Sequence, residues 1–189
     1  MEKFIDYILL FGNLNGQQID LIKSKASEIE LHKEDYYWEA GKAVRQIGFL
    51  SDGVLRVYYY NNKGEEITRY FIDENHLILP GNTIDEIYTP SEYLSAITDC
   101  NLVVFSRQDW KEISDTIIGW DNIVHKIIAK HHSEKMARRS ELISQDGTER
   151  YLDFIQKFPT LVNRVPLTFI ASYLGITQSS LSRIRKNIR

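Results

Sequence analysis

A single cysteine, Cys100, stands in the 189 residues, and that scarcity already excludes several chemistries. One thiol makes no intramolecular disulfide, no four-cysteine zinc site and no cysteine-held iron–sulfur cluster. Long hydrophobic runs are missing too: stretches such as Tyr7 to Phe11 fall far short of the roughly 20 apolar residues that a bilayer helix needs. The first residues, Met1-Glu2-Lys3-Phe4-Ile5-Asp6, put acid inside the would-be apolar region and offer no small-residue cleavage site, so no secretory leader is expected. Between residues 30 and 106 the only histidines are His32 and His76, with no His-x-His spacing for a cupin-like metal site. No glycine loop cradles a phosphate and no glycine-flanked serine forms a nucleophile elbow. The expectation is a cytoplasmic protein that is not an enzyme and holds no metal, with no membrane partner.

What is present is ordinary in total and uneven in place. Hydrophobic residues make up 43% and charged residues 26%, which suits a globular chain of one large or two small domains. The net charge of −3 hides an asymmetry. From Arg150 to Arg189 there are seven basic residues and one acidic, Asp153, for a net +6, while the preceding 149 residues carry 16 basic and 25 acidic side chains, for −9. An acidic body with a basic end is expected when only that end meets a polyanion.

Residues 4 to 30 read as helical: Phe4, Tyr7, Ile8 and Phe11 recur at helical steps, Gly12-Asn13 interrupts, and Ile19, Ile22, Ala26 and Ile29 resume. The period then changes to that of strands. Val44 to Leu50, Val54 to Tyr60 and Glu65 to Ile72 are rich in β-branched and aromatic residues, separated by turns at Ser51-Asp52-Gly53 and Asn61-Asn62-Lys63-Gly64, which predicts three strands in tandem hairpins. Pro80-Gly81-Asn82 and Thr89-Pro90-Ser91 punctuate the chain before two further strands, Tyr93 to Thr98 and Asn101 to Ser106. Many short strands at this spacing favour a roll or barrel. From residue 107 the stripe Ile113, Ile117, Trp120, Val124, Ile127, Ile128, His131, Lys135 and Leu142 predicts one long helix, and no proline lies between Pro90 and Pro159 to break it. Such a stripe, with no domain to cover it, favours self-association, the alternative being a broken helix folded onto its own barrel.

The strongest local signal spans Leu167 to Arg185. Ala171 is small enough for two helices to cross, Gly175 can take the left-handed turn, Ile176 is expected at that turn and Thr177 can cap the next helix. Leu181 and Ile184 then face inward, leaving Gln178, Ser179, Ser182, Arg183, Arg185 and Lys186 outward without one carboxylate. This is the pattern of a helix-turn-helix whose second helix fits the major groove.

With these residues in hand, the chain resembles the Crp/Fnr superfamily of transcription regulators, through Ile-Ala-Ser-Tyr-Leu-Gly-Ile-Thr…Leu-Ser-Arg-Ile-Arg, through Gly53-Val54-Leu55-Arg56-Val57-Tyr58 and through Thr98-Asp99-Cys100. The resemblance implies an α+β protein: an antiparallel β-roll or jelly-roll sensor domain over 1–108, a long dimerisation helix over 109–145 and a helix-turn-helix domain over 146–189. It implies a homodimer on double-stranded, pseudo-palindromic DNA, with RNA polymerase and an unidentified small molecule as further candidate partners. The implied DNA-binding set is Thr177, Gln178, Ser179, Ser180, Ser182, Arg183, Arg185 and Lys186. Gln178, Ser179 and Arg183 fall where the family contacts bases, and Thr177 and Ser180 fall near phosphates. The sequence ends two residues after Asn187, so no full wing is expected, and Arg164, Arg185, Lys186 and Arg189 are expected to supply affinity. A hinge is expected near Gln145-Asp146-Gly147-Thr148, the alternative being that Gly147 simply ends the helix.

On the sensor side the sequence departs from the family. Anchored on Thr98-Asp99-Cys100, the phosphate-binding arginine and its serine neighbour fall on Pro90 and Ser91, and the Gly-Glu pair falls near Ile78-Leu79. Proline cannot neutralise a phosphate, leucine cannot hold a ribose hydroxyl, and Glu92 would repel the anion. The roll is therefore expected not to bind cyclic AMP in the family manner, and its effector, if one exists, is unassigned. Cys100 reads as a buried strand residue and His76, His125, His131 and His132 as ordinary polar side chains, which leaves no certain cofactor. Tyr58 to Tyr60 alternate faces, so only part of the run can line an interior. The competing function is a ligand-binding roll that signals through protein partners without reading DNA. Such a protein would be expected to lose the cationic recognition face, which this sequence keeps.

Overall fold

The structure is a computed structural model and describes residues 1–80, 88–140 and 145–188. Two short helices open the chain, α1 (Glu2–Leu9) and α2 (Gly16–Lys25). Asn15 starts α2 with a reciprocal cap: its Oδ1 accepts from the Gln18 amide at 2.9 Å and its own amide donates to Gln18 Oε1 at 2.9 Å. Among the described residues eight strands follow: β1 (Ser27–Leu31), β2 (Tyr36–Trp38), β3 (Gln46–Asp52), β4 (Leu55–Tyr60), β5 (Glu66–Ile72), β6 (His76–Ile78), β7 (Tyr93–Ala96) and β8 (Cys100–Ser106). They form two antiparallel four-stranded sheets, ordered β1-β8-β3-β6 and β2-β7-β4-β5, packed face to face. This is the expected β-roll.

Two local readings need correction. Residues 27–31 are not helical: Ser27–Leu31 pair with β8 from Ser27↔Val104 to Leu31↔Cys100. Ile29 satisfies a period of two as well as 3.6, and the sheet edge decides between them. The tandem hairpins hold only for β4–β5, paired from Leu55↔Ile72 to Tyr60↔Glu66. Strands β3 and β4 lie in opposite sheets, because the chain crosses at Gly53 (φ +104), and Leu50 and Leu55 then both enter the core between the sheets. Cys100 lies in that same core, fully buried.

The expected single helix after residue 107 is two, α3 (Arg107–Thr116) and α4 (Trp120–Ser140). Ile117 is extended, Gly119 takes φ +88, and the bend leaves Ile118 99% exposed. The bend turns Ile113, Ile117, Trp120, Val124 and Ile127 onto this chain's own sheet, where they join Phe4, Ile8, Phe49 and Phe105 in one core. Burying each such side chain contributes about 1.5–3 kcal/mol, so the proximal half of the stripe is satisfied within the chain. Among the described residues of α4, the distal part leaves Ile128 and Met136 exposed. Leu142 and residues 81–87 lie outside the described residues, as does Arg189. No described helix is long and apolar enough to cross a membrane.

Three C-terminal helices complete the fold: α5 (Gly147–Lys157), α6 (Leu167–Leu174) and α7 (Gln178–Ile188). Their apolar faces meet around Tyr151, Phe154, Leu161, Ile170, Ala171, Leu174 and Leu181, and the same core takes in Val54, Phe71 and Ile97 of the roll.

Candidate nucleic-acid interface

Helix α6 ends as its sequence predicts. Gly175 sits at φ +68, its amide donates to Ser172 O at 3.2 Å, and the Ile176 amide donates to Ala171 O at 3.0 Å, which together make a Schellman cap. A third terminal carbonyl, Leu174 O, accepts from Arg150 Nη1 at 2.8 Å. The next helix is started by Thr177, whose Oγ1 accepts from the Ser180 amide at 3.1 Å. Ala171 is buried at the helix crossing, Leu181 is fully buried and Ile184 packs beside it.

These contacts decide which side of α7 is free. Gln178, Ser179, Arg183 and Lys186 are exposed, while Ser182 and Arg185 are half-buried. Ser180 is half-buried too, and its hydroxyl accepts from Thr177 Oγ1 at 2.9 Å. Among the described residues none of Gln178, Arg183, Arg185 and Lys186 makes a side-chain hydrogen bond or ion pair, and α7 contains no carboxylate. The helix thus carries a row of unneutralised cations and amide or hydroxyl donors along one face.

Other basic residues are committed elsewhere. Arg164, expected to add DNA affinity, grips Glu74 of the roll through two bonds, Nη2–Oε1 at 2.6 Å and Nη1–Oε2 at 3.2 Å. Burial pushes the Glu74 carboxyl up, but Arg164 and the Gly53 amide outweigh it and hold the group below its ordinary value. Arg150 binds Gln145 O as well as Leu174 O, which ties α5 to the helix-turn-helix corner. At the expected hinge, Gly147 begins α5 behind the Asp146 cap, and a methyl group there would make ordinary contacts with Ile176 and Ile184 at 3.4–3.5 Å.

Reading the sequence alone misses the surface on which the C-terminal helices sit. Arg56, on β4, is almost fully buried, with its guanidinium between the rings of Tyr58 (4.3 Å) and Phe169 (3.9 Å). Its Nε donates to Thr68 Oγ1 at 2.9 Å and its Nη1 to Glu66 Oε2 at 2.6 Å. Strand β5 is an edge of its sheet, and Ser172 of α6 supplies the missing partner: Ser172 Oγ accepts from the Thr68 amide at 2.9 Å and donates to Glu66 O at 3.2 Å. One signal was visible beforehand, an arginine inside the otherwise apolar and aromatic run Val54 to Tyr60.

On the sensor side, Pro90 is buried, Ser91 is exposed and Glu92 forms an ion pair with Arg69. Ile78 is buried at the end of β6. Tyr58 is buried while Tyr59 and Tyr60 are more than a third exposed, so the tyrosine run is split between burial and solvent. The hydroxyl of Tyr37 and the indole N–H of Trp38 are buried without a partner among the described residues. No cluster of three or more metal-ligating side chains occurs among the described residues.

The whole architecture, a roll followed by a helix and a helix-turn-helix, matches solved regulators. FixK2 from Bradyrhizobium japonicum superposes with a TM-score of 0.70 at 16% identity, over 86% of this chain and 84% of that one. CLP, the c-di-GMP-responsive global regulator of Xanthomonas campestris, gives a TM-score of 0.73 at 14% identity, over 92% and 91%. A protein from Eubacterium rectale assigned to the Crp/Fnr family gives 0.65 at 18% identity, over 96% and 87%. The chain has the Crp/Fnr fold. No protein-family model matches the sequence, and no curated protein matches it. The Crp/Fnr resemblance of residues 167–185 therefore coincides with a Crp/Fnr-like architecture over most of the chain.

Proposed function

We propose that the chain is a DNA-binding transcription regulator of the Crp/Fnr type that reads a pseudo-palindromic operator as a homodimer. The observation that carries this reading is the outer face of α7, where Gln178, Ser179, Arg183 and Lys186 stand exposed on a helix without a carboxylate. Residues 1–108 serve as the sensor roll, 109–145 as the dimerisation region and 146–189 as the DNA-binding domain. Gln178, Ser179 and Arg183 approach base edges, Arg183 suiting guanine O6 and N7 and Gln178 suiting adenine. Thr177 and Ser180 lie near phosphates, with Ser182, Arg185 and Lys186 completing the contact surface. The second copy packs on the distal part of α4, around Ile128 and Met136. A two-fold axis then sets the recognition helices about 34 Å apart. Pro90 and Ser91 offer no cation for a cyclic phosphate, and the roll does not answer cyclic AMP in the family manner. RNA polymerase and a small effector are the further partners this reading admits.

The test places a carboxylate where α7 has none. Ser179→Glu is expected to lower affinity for a duplex by roughly tenfold or more at low salt, because it brings a negative charge into the negative potential of the groove, with thermal unfolding unchanged. Equal affinity of variant and parent would contradict the use of this face.

A further inference from the structure

Strand β5 turns into β6 through Asp73-Glu74-Asn75, and this turn with His76, the first residue of β6, meets both α4 and the segment that leads into α6. It is firmly held: Asn75 takes φ +64, a conformation asparagine tolerates better than most residues, and its amide donates to Leu50 O at 2.9 Å. On one side Glu74 accepts from the Gly53 amide at 3.1 Å and clamps Arg164, just before α6. On the other side His76 is fixed by its Nδ1, 3.0 Å from Asp73 O, and its ring stacks on His131 of α4 with centroids 4.5 Å apart. His131 Nε2 is in turn 2.8 Å from the Tyr7 hydroxyl of α1, and Glu134, one helical turn on, lies 3.9 Å from His76 Nε2.

We infer that this turn is the coupling element between α4 and the helix-turn-helix domain: a shift of α4 moves His76, and the same rigid turn moves the Glu74 clamp on Arg164. The inference rests on the reading of α5–α7 as the DNA-binding domain, yet the coupling itself can be read without DNA. The docked domain carries its own reporter. The Thr68 amide points away from the sheet and its partner is Ser172 Oγ, so its exchange with solvent reports separation of α6 from the roll. The Ala96 amide, bonded to Asp35 O at 2.8 Å inside the roll, reports folding of the sensor domain.

Amide exchange of the full chain, followed by NMR, tests the coupling. Glu74→Gln is expected to speed exchange at Thr68 roughly tenfold, the worth of a charge-assisted pair of hydrogen bonds at a half-exposed site. His131→Gln, which touches neither Arg164 nor Ser172, is expected to speed the same amide severalfold, and the double variant to exceed Glu74→Gln by little, because both act through one element. Exchange at Ala96 should stay as in the parent throughout. Unchanged Thr68 exchange in His131→Gln, or full additivity of the two changes, would overturn the coupling. A chain that shows the coupling but retains no duplex would keep the link and refute the regulator reading instead.

Discussion

Gly53 stands where the chain passes from one sheet to the other, and Gly53→Ala provides a severe test of that crossing. Two costs add. The residue has φ +104, where an L side chain costs roughly 1–2 kcal/mol. A methyl group there would also lie 2.5 Å from Cys100 Sγ, 2.6 Å from Asp99 O and 2.8 Å from Cys100 Cα. Two of those three atoms belong to backbone, which cannot swing aside as a flexible side chain can, so overpacking adds about 1–3 kcal/mol. The sum is about 2–5 kcal/mol. For a chain of this length each kcal/mol lowers Tm by about 2–4 °C, so a mid-range loss corresponds to roughly 7–14 °C. Gly64→Ala is the matched control: its φ is +76 but nothing lies within 4 Å of the added carbon, so only the conformational cost applies. Thermal unfolding followed by near-ultraviolet circular dichroism compares the two directly. A Gly53→Ala transition no lower than that of Gly64→Ala would refute the close approach of Gly53 to Cys100.

The remaining predictions concern the C-terminal domain and its contact with the roll. Arg183→Ala is expected to cost about 1–3 kcal/mol of binding to a preferred duplex and to relax base preference at one position, measured by anisotropy on single-base variants. An equal loss on every sequence would make Arg183 a phosphate contact. Thr177→Ala removes the α7 cap and is expected to cost about 1 kcal/mol in denaturant unfolding, with no change implying that the cap is replaced by solvent. The Glu74 carboxyl is held below its ordinary value of 4.5, so its stabilisation is complete above that pH and is lost as pH falls through the lower folded-state value. The stability difference between the parent and Glu74→Gln should therefore be constant near neutrality and shrink as the pH falls below 4.5. A difference that grows on acidification would reverse the sign of the argument.

How legible the molecule was in its sequence depended on how local each signal was. The helix-turn-helix was readable almost residue by residue, because Ala171, Gly175, Thr177 and Leu181 each meet a requirement set within a few positions of themselves. Five of the eight described strands, β3, β4, β5, β7 and β8, were readable for the same reason, whereas β1 read as a continuation of the N-terminal helix. Sheet membership was not: Ser51-Asp52-Gly53 has the composition of a hairpin turn, and only the packing of Gly53 on Cys100, 47 residues away, makes it a crossing. The three-residue strands Tyr36–Trp38 and His76–Ile78 are too short to show a period. The break at Gly119 was hidden because the apolar stripe continues across it, and the bend serves contacts with α1 and the sheet. The docking of α6 depends on Arg56, Ser172 and the Glu74–Arg164 pair, partners separated by 90 residues or more across the domains and invisible to any window.

The central claim is that α7 reads DNA in a two-fold-symmetric assembly. Its most direct measurement is retention of a randomised duplex pool by the purified chain at two salt concentrations, followed by sequencing of what is held. The account predicts a two-fold-symmetric motif with half-sites about one helical turn apart, enriched at the higher salt where non-specific phosphate binding is weakened. No retention even at low salt would contradict it.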